Sequence, residues 1–430
     1  MTPDIITLIV LAVLALLFVT ELVPMAITSI GGAMALGLLG IIPLKDAFSG
    51  IANTTVILFA GMFVIGAAMF HTGLAQTAGE WVVSKVGKSE KGLMFGTSVI
   101  VSALSSVTSN TGATAVMMPI IQGICKVAHV PQARQLIPLA YAAGLGGLIT
   151  LVGSPPNIIV SEMLQTSGYR PFGFFEFALI GIPLTVAGIA YMIFIGRRFL
   201  PTQTTSSLEV AEDLKNETAA TTITAKSPVK MGITLVILLV VLVVMALDLK
   251  SIPMYYAAVA GGILCILTRC VTEKQAYAAI DLVTLFVLAG MLPVADALAK
   301  TGAGKLIAGW VMGIIGSNPS PIMITVALFV LSATLTQFMT NTATTALLAP
   351  IGISIASALN ASPHAVLMAI CVGATCAFLT PVGSAPCTLV LGPGGYKFTD
   401  YTKAGIGLLI LCFVLSLILL PILWPFFPAQ

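Results

Sequence analysis

The sequence predicts an all-α polytopic membrane protein: two inverted repeats of five transmembrane helices and one re-entrant hairpin each, with broken helices at the midplane. Composition is the first observation behind this. Of 430 residues, 58% are hydrophobic and only 8% charged, with a mean hydropathy of +1.08, whereas a soluble domain carries about 25% charged residues. So little charge cannot cover a water-facing surface, and a lipid bilayer is the expected solvent. The second observation is two sets of apolar runs close to the ~20 residues that a spanning helix needs. The third is that motifs of one set return in the other at an almost constant offset.

The first set of runs covers 5–20, 23–42, 52–70, 135–152 and 174–195, and the second 232–248, 253–268, 282–298, 366–382 and 404–424. Met1-Thr2-Pro3-Asp4 leads straight into the first run, with neither the basic start nor the cleavage site of a signal peptide, so that run is expected to remain as a helix. Segment 199–230, rich in Thr, Ser and charge, reads as a flexible linker between repeats 1–198 and 231–430. Pro24-Met25 returns as Pro253-Met254, Ala60-Gly61-Met62 as Ala289-Gly290-Met291, and Thr72-Gly73 as Thr301-Gly302, all at an offset of 229. Ser109-Asn110-Thr111 returns as Thr340-Asn341-Thr342 at 231, and Gly153-Ser154 as Gly383-Ser384 at 230. Five crossings is an odd number, so the second copy must enter the membrane from the opposite side, the inverted arrangement common among secondary transporters. With the N-terminus outside, the linker cytoplasmic and the C-terminus outside, fourteen Lys and Arg fall in cytoplasmic loops and five outside, as the positive-inside rule prefers. Trp81 with Lys85, Lys88 and Lys91 suggests an amphipathic helix on the cytoplasmic surface.

Between the third and fourth runs of each set lies a long apolar stretch, 92–120 and 321–351, interrupted by a polar cluster. The first cluster is Ser105-Ser106-Val107-Thr108-Ser109-Asn110-Thr111-Gly112; the second runs from Thr334 through Thr336 and Gln337 to Thr340-Asn341-Thr342. Ser, Thr and Asn compete for backbone hydrogen bonds and favour a turn over continued helix. Non-helical backbone at membrane depth survives only where protein or a cavity surrounds it. Each stretch is therefore expected to be a re-entrant hairpin with a polar tip and arms ending near Pro119 and Pro350, the two tips meeting near the midplane.

Gly153-Ser154-Pro155-Pro156-Asn157 and Gly383-Ser384-Ala385-Pro386-Cys387 cannot sustain a helical ladder, so each fourth span is expected to break there. Half-helix N-termini suit anions, and loose carbonyl and hydroxyl oxygens suit sodium. None of the four breaks contains Lys, Arg, Asp, Glu or His. An anion there must be held by N–H groups, hydroxyls and Asn amides, with co-bound cations balancing its charge. The nearest ionisable residues, Glu21, His71, Asp281 and Asp296, lie at or near helix ends and read as solvated. Seven dispersed cysteines without a CxxC pair argue against a disulfide framework or zinc site, and read as small packing residues. No catalytic dyad or metal-ligand set is visible at membrane depth, so no enzyme is expected, and a net charge of +3 gives no nucleic-acid partner.

The pairing of Ser109-Asn110-Thr111-Gly112-Ala113-Thr114 with Thr340-Asn341-Thr342-Ala343-Thr344-Thr345 resembles the paired Ser-Asn-Thr motifs of the divalent anion/sodium symporter (DASS) family. Ser154-Pro155-Pro156-Asn157 and Gly394-Gly395-Tyr396-Lys397, followed by Asp400 and Gly405, also fit its pattern, over nearly the whole chain. The resemblance implies a homodimer with a scaffold and a mobile transport domain working as an elevator. It also implies sodium-coupled uptake of di- or tricarboxylates or sulfate, some members being exchangers. Sodium is the coupling ion and no other cofactor is implied. One sodium site is expected from Ser105, Ser109, Asn110 and Gly153, and another from Thr336, Thr340, Asn341 and Gly383. Substrate contacts are expected from Ser109, Asn110, Thr111, Thr340, Asn341 and Thr342, with Ser384 and Ala385 beside them. The chain departs from the family at three places: it shows ten spans where one more N-terminal helix is common, Thr340 opens the second motif, and Ala385 and Cys387 stand in a break that is typically Thr-Pro-Pro-Asn.

Overall fold

The computed structural model describes residues 2–20, 22–86, 89–202, 227–247, 251–315 and 320–427. Most of the expected linker (203–226), with Lys215 and Lys226, and also Glu21, Lys88 and Lys250, lies outside the described residues. Every regular element among the described residues is helical. In the first half, α1 (Pro3–Thr20) and α2 (Met25–Leu38) are followed by a 3-10 helix (Leu44–Ala52) and α3 (Thr54–His71). Then come α4 (Leu74–Val86), α5 (Glu90–Ser105), α6 (Asn110–Ala128), α7 (Ala133–Gly146), α8 (Pro155–Thr166) and α9 (Ala178–Phe194). The second half repeats this order: α10 (Pro228–Leu247), α11 (Met254–Leu267), the short α12 (Glu273–Ala279), α13 (Leu282–Thr301) and α14 (Ala303–Ile315). It continues with α15 (Pro321–Leu335), α16 (Asn341–Ala358), α17 (Pro363–Thr375), α18 (Ala385–Gly394) and α19 (Phe398–Leu423).

Local chemistry fixes the same boundaries in both halves. Ser89 caps α5 by accepting from Gly92 N, and Ser320 caps α15 by accepting from Met323 N. Such caps satisfy donors that a helix start leaves open. Gly73 and Gly302 follow α3 and α13 with φ of 82° and 78°, a left-handed conformation that favours glycine. By length and composition, six helices could cross a membrane among the described residues, five others being shorter apolar helices. Both polar clusters are turns between two helices, α5/α6 and α15/α16, as expected of hairpins. The second arms do not end at Pro119 or Pro350; these prolines lie inside α6 and α16, which run on to Ala128 and Ala358. Proline inside a helix removes one hydrogen bond and can kink it without stopping it where packing supports the chain. Both fourth spans are broken as expected, α7 from α8 and α17 from α18. All seven cysteines are free and buried.

The halves interlock. α3 packs along α11, and α13 along α2. Gly61 lies on the backbone of Ala258 and Gly290 on that of Ser29, leaving no room for a methyl group at either crossing. Small residues allow this approach inside a bilayer, where helices gain from close contact. α5 and α6 pack on α7, and α15 and α16 on α17. Each hairpin's second arm also packs on the other half's post-break helix, α6 on α18 and α16 on α8.

Candidate functional site

The first polar tip closes on the end of α7. Fully buried Ser105 donates from Oγ to Ala143 O (2.7 Å) and lies 2.5 Å from Asn110 Oδ1. Asn110 is the first residue of α6, behind Ser109, whose Oγ accepts from Gly112 N (3.1 Å). Gly147 faces Asn110 so closely that an added Cβ would stand 2.5 Å from Oδ1, and Gly153 in turn packs on the Gly147 carbonyl. Asn157 Nδ2 donates to Gly147 O (2.8 Å) and Thr150 O (2.7 Å), while Thr150 Oγ1 donates to Ser106 O. Ser154 Oγ is buried with no hydrogen-bond partner among the described residues.

The second tip repeats the arrangement. Thr336 Oγ1 donates to Ala374 O at the end of α17 (2.6 Å). Asn341, first in α16, fits its surroundings with the amide nitrogen toward Ala374 O (2.9 Å), Gly383 O (3.0 Å) and Thr336 Oγ1 (2.8 Å). Thr340 caps α16 by accepting from Ala343 N (3.3 Å), and Thr380 Oγ1 donates to Gln337 O (2.7 Å). A Cβ on Gly383 would collide with the Thr336 carbonyl.

The structure therefore brings Ser105 and Asn110 together near Gly153, and Thr336 and Asn341 together with Gly383. Ser109, Thr111 and Ala385 are exposed, and Thr340, Thr342 and Ser384 partly so. Among the described residues no hydrogen bond joins the two clusters directly; the packing of α6 on α18 and α16 on α8 connects them. The carbonyls of Ala143 and Ala374 were not foreseen, because a backbone oxygen leaves no trace in residue identity. The matched Thr150 and Thr380 hydroxyls bond instead to the tip carbonyls of Ser106 and Gln337. Each cluster brings hydroxyl and carbonyl oxygens together, the first adding Asn110 Oδ1 and the second turning the Asn341 amide nitrogen inward; such hard neutral oxygens suit an alkali cation. No grouping of His, Cys, Asp and Glu able to hold a metal occurs among the described residues. Four helices, α6, α8, α16 and α18, start at the breaks, and helix N-termini favour negative charge.

One carboxylate near these elements was not foreseen. Glu162 on α8 is only 3% exposed and accepts from Asn53 Nδ2 (2.7 Å) and Thr55 Oγ1. Asn53 is the cap of α3, so Glu162 ties a post-break helix to α3. Of the ionisable residues expected at helix ends, Asp281 caps α13, His71 Nδ1 lies 3.3 Å from Gln275 Nε2, and Asp296 pairs with Lys300.

Solved structures with this fold are membrane transporters. The YdaH transporter of Alcanivorax borkumensis aligns with TM-score 0.60 and 14% identity, covering 92% of this chain and 90% of that one. MtrF of Neisseria gonorrhoeae aligns with TM-score 0.64 and 14% identity over 98% and 95%. These likenesses show the fold, that of a multi-pass membrane protein. Within it the chain belongs to the citrate transporter (CitMHS) family, whose model matches residues 15–373 and 306–429. Relatives include the uncharacterized transporter YfbS of Escherichia coli (strain K12), 25% identical over 97% of this chain and 98% of that protein. The sodium-dependent dicarboxylate transporter SdcS of Staphylococcus saprophyticus is 24% identical over 95% and 84%.

Proposed function

We propose that the chain is a secondary active transporter that imports a small divalent anion, a di- or tricarboxylate with C4-dicarboxylates foremost, in symport with sodium. One observation carries this reading: both hairpin tips fold back on a neighbouring helix end to form matched oxygen clusters that contain no ionisable group. A dianion held near such tips would meet N–H groups and hydroxyls, and no arginine. Sodium at the Ser105–Asn110–Gly153 and Thr336–Asn341–Gly383 clusters supplies the missing positive charge. Substrate then lies against Ser109, Asn110, Thr111, Thr340, Asn341 and Thr342, with Ser384 and Ala385 alongside. Coupling follows from electrostatics. A dianion without its cations is strongly disfavoured in a low-dielectric site, as are cations without the anion, so the loaded carrier is the one that crosses. The name of the SdcS relative supports both the dicarboxylate and the sodium.

The reading includes a homodimer in the inner membrane with the N-terminus outside, the 199–230 linker cytoplasmic and the C-terminus outside. Its motion is an elevator movement of the hairpin-bearing helices past α2, α3, α11 and α13. The test is uptake of labelled succinate by proteoliposomes carrying Asn110→Ala or Asn341→Ala. Each variant is expected to reconstitute as a folded protein and to lose uptake; normal uptake by both removes the proposed site.

A further inference from the structure

We propose that Gln337 and Tyr141 are positioning residues that brace the second break loop, 376–384, in place of the asparagine that braces the first. Matched residues differ in their bonding between the halves. In the first half, Asn157 holds its loop through two bonds from one amide, to Gly147 O and Thr150 O. At the matching position stands Cys387, whose Sγ donates to one loop carbonyl, Ala377 O, at 3.7 Å, and has the Ser384 side chain as a second partner. A thiol is a weak donor, so the second loop lacks its brace at this position.

The deficit is made up from two other elements. Gln337, at the tip of the second hairpin and 5% exposed, donates from Nε2 to Cys376 O (3.0 Å) and Ala333 O (2.7 Å). Its Oε1 accepts from Leu379 N (2.9 Å). Both ends of the amide are thus engaged, and two of the three bonds are to the loop. The side chain of its counterpart, Ser106, turns back to Ala103 O (2.8 Å), and only the Ser106 carbonyl meets the first loop, accepting from Thr150. Tyr141 on α7 donates to Phe378 O (2.6 Å), and Tyr401 donates to Cys387 O (2.7 Å). The counterpart of Tyr141 is Cys371, which instead donates to Asn157 Oδ1 (3.1 Å). Three matched pairs, Asn157/Cys387, Ser106/Gln337 and Cys371/Tyr141, have exchanged the same task.

The loop carries Gly383, whose carbonyl lies 3.0 Å from the Asn341 amide nitrogen. Slack in 376–384 therefore displaces one wall of the second oxygen cluster. This consequence rests on the reading that the cluster holds a coupling sodium; the brace itself does not.

Two readouts on purified full-length protein keep these apart. Hydrogen exchange of the amides in 376–384 reports the brace, and the sodium concentration for half-maximal succinate uptake reports the site. Gln337→Ala is expected to speed exchange in 376–384 by about fivefold, the effect of one net hydrogen bond, and to leave 147–154 unchanged. Half-saturating sodium should rise by a similar factor. Restoring the first half's arrangement with Gln337→Ser and Cys387→Asn together should return both quantities toward wild type. Tyr141→Phe removes only a hydroxyl and should speed exchange around Phe378, which serves if Gln337→Ala does not fold. Unchanged exchange in 376–384 in Gln337→Ala, or in Tyr141→Phe where that variant must stand in, overturns the proposal. So does a double variant that exchanges as fast as Gln337→Ala. Wild-type uptake indifferent to sodium defeats the sodium reading, while exchange still decides the brace.

Discussion

At Gly147 an added Cβ would stand 2.5 Å from Asn110 Oδ1 and 2.9 Å from Nδ2. The amide cannot keep both its place beside Ser105 and a methyl neighbour, so Gly147→Ala is expected to abolish sodium-dependent uptake while the protein still assembles. Uptake assays beside size-exclusion profiles check this. Glu162 makes a contrasting case, because its partners concern stability. Glu162→Ala leaves Asn53 and Thr55 with unmet bonding groups at a buried junction, at a cost of about 1–3 kcal/mol, seen as a lower Tm in detergent. The asparagines were legible in the sequence because a polar run in an apolar stretch is costly and therefore conspicuous. Gly147 and Glu162 were not: one glycine among 40 carries no mark of its neighbour, and a lone glutamate beyond a break shows no partner until the chain folds back.

Among elements, the hairpins and broken spans followed from side-chain chemistry, Ser, Thr and Asn at the tips and Gly and Pro at the breaks. What the sequence obscured was where elements stop. Pro119 and Pro350 looked like ends because proline disrupts isolated helices, yet α6 and α16 continue through them, Pro350 in a buried stretch and Pro119 on an exposed face. α14 was also unforeseen, although Thr301-Gly302 repeats the Thr72-Gly73 turn that precedes α4. The segment between α8 and α9 depends on charge. Burial would raise the pKa of Glu176, but bonds from Arg170 Nη2 (2.8 Å), Gly173 N (2.9 Å) and Trp424 Nε1 (2.8 Å) outweigh it and hold the carboxyl below its ordinary value. A lowered carboxylate stabilises the fold fully above the ordinary glutamate range and loses that contribution as pH falls through its lowered value. Glu176→Gln should therefore lower Tm at neutral pH, and the gap from wild type should shrink on acidification. A gap independent of pH would show that the ionised carboxylate is not what ties this loop to Trp424.

For the whole molecule, the duplication is the organising fact. Each half lends a post-break helix to the other's hairpin, and each third helix crosses the other half's second helix at a glycine, Gly61 or Gly290. The two halves bury surface against each other, and the two polar tips are held by one continuous framework. The halves then diverge in how the break loops are braced and in how the cluster asparagines face, Asn110 by its Oδ1 and Asn341 by its Nδ2. Matched, uncharged clusters give the central claim its form: the anion's charge is balanced by ions that travel with it. The most direct test is accumulation of labelled succinate, citrate or sulfate in proteoliposomes under an imposed sodium gradient. A di- or tricarboxylate is expected to accumulate above its external concentration when sodium is high outside, and the accumulation to collapse when sodium is equal on both sides. Uptake that ignores sodium and proceeds only against unlabelled internal dicarboxylate would contradict the claim.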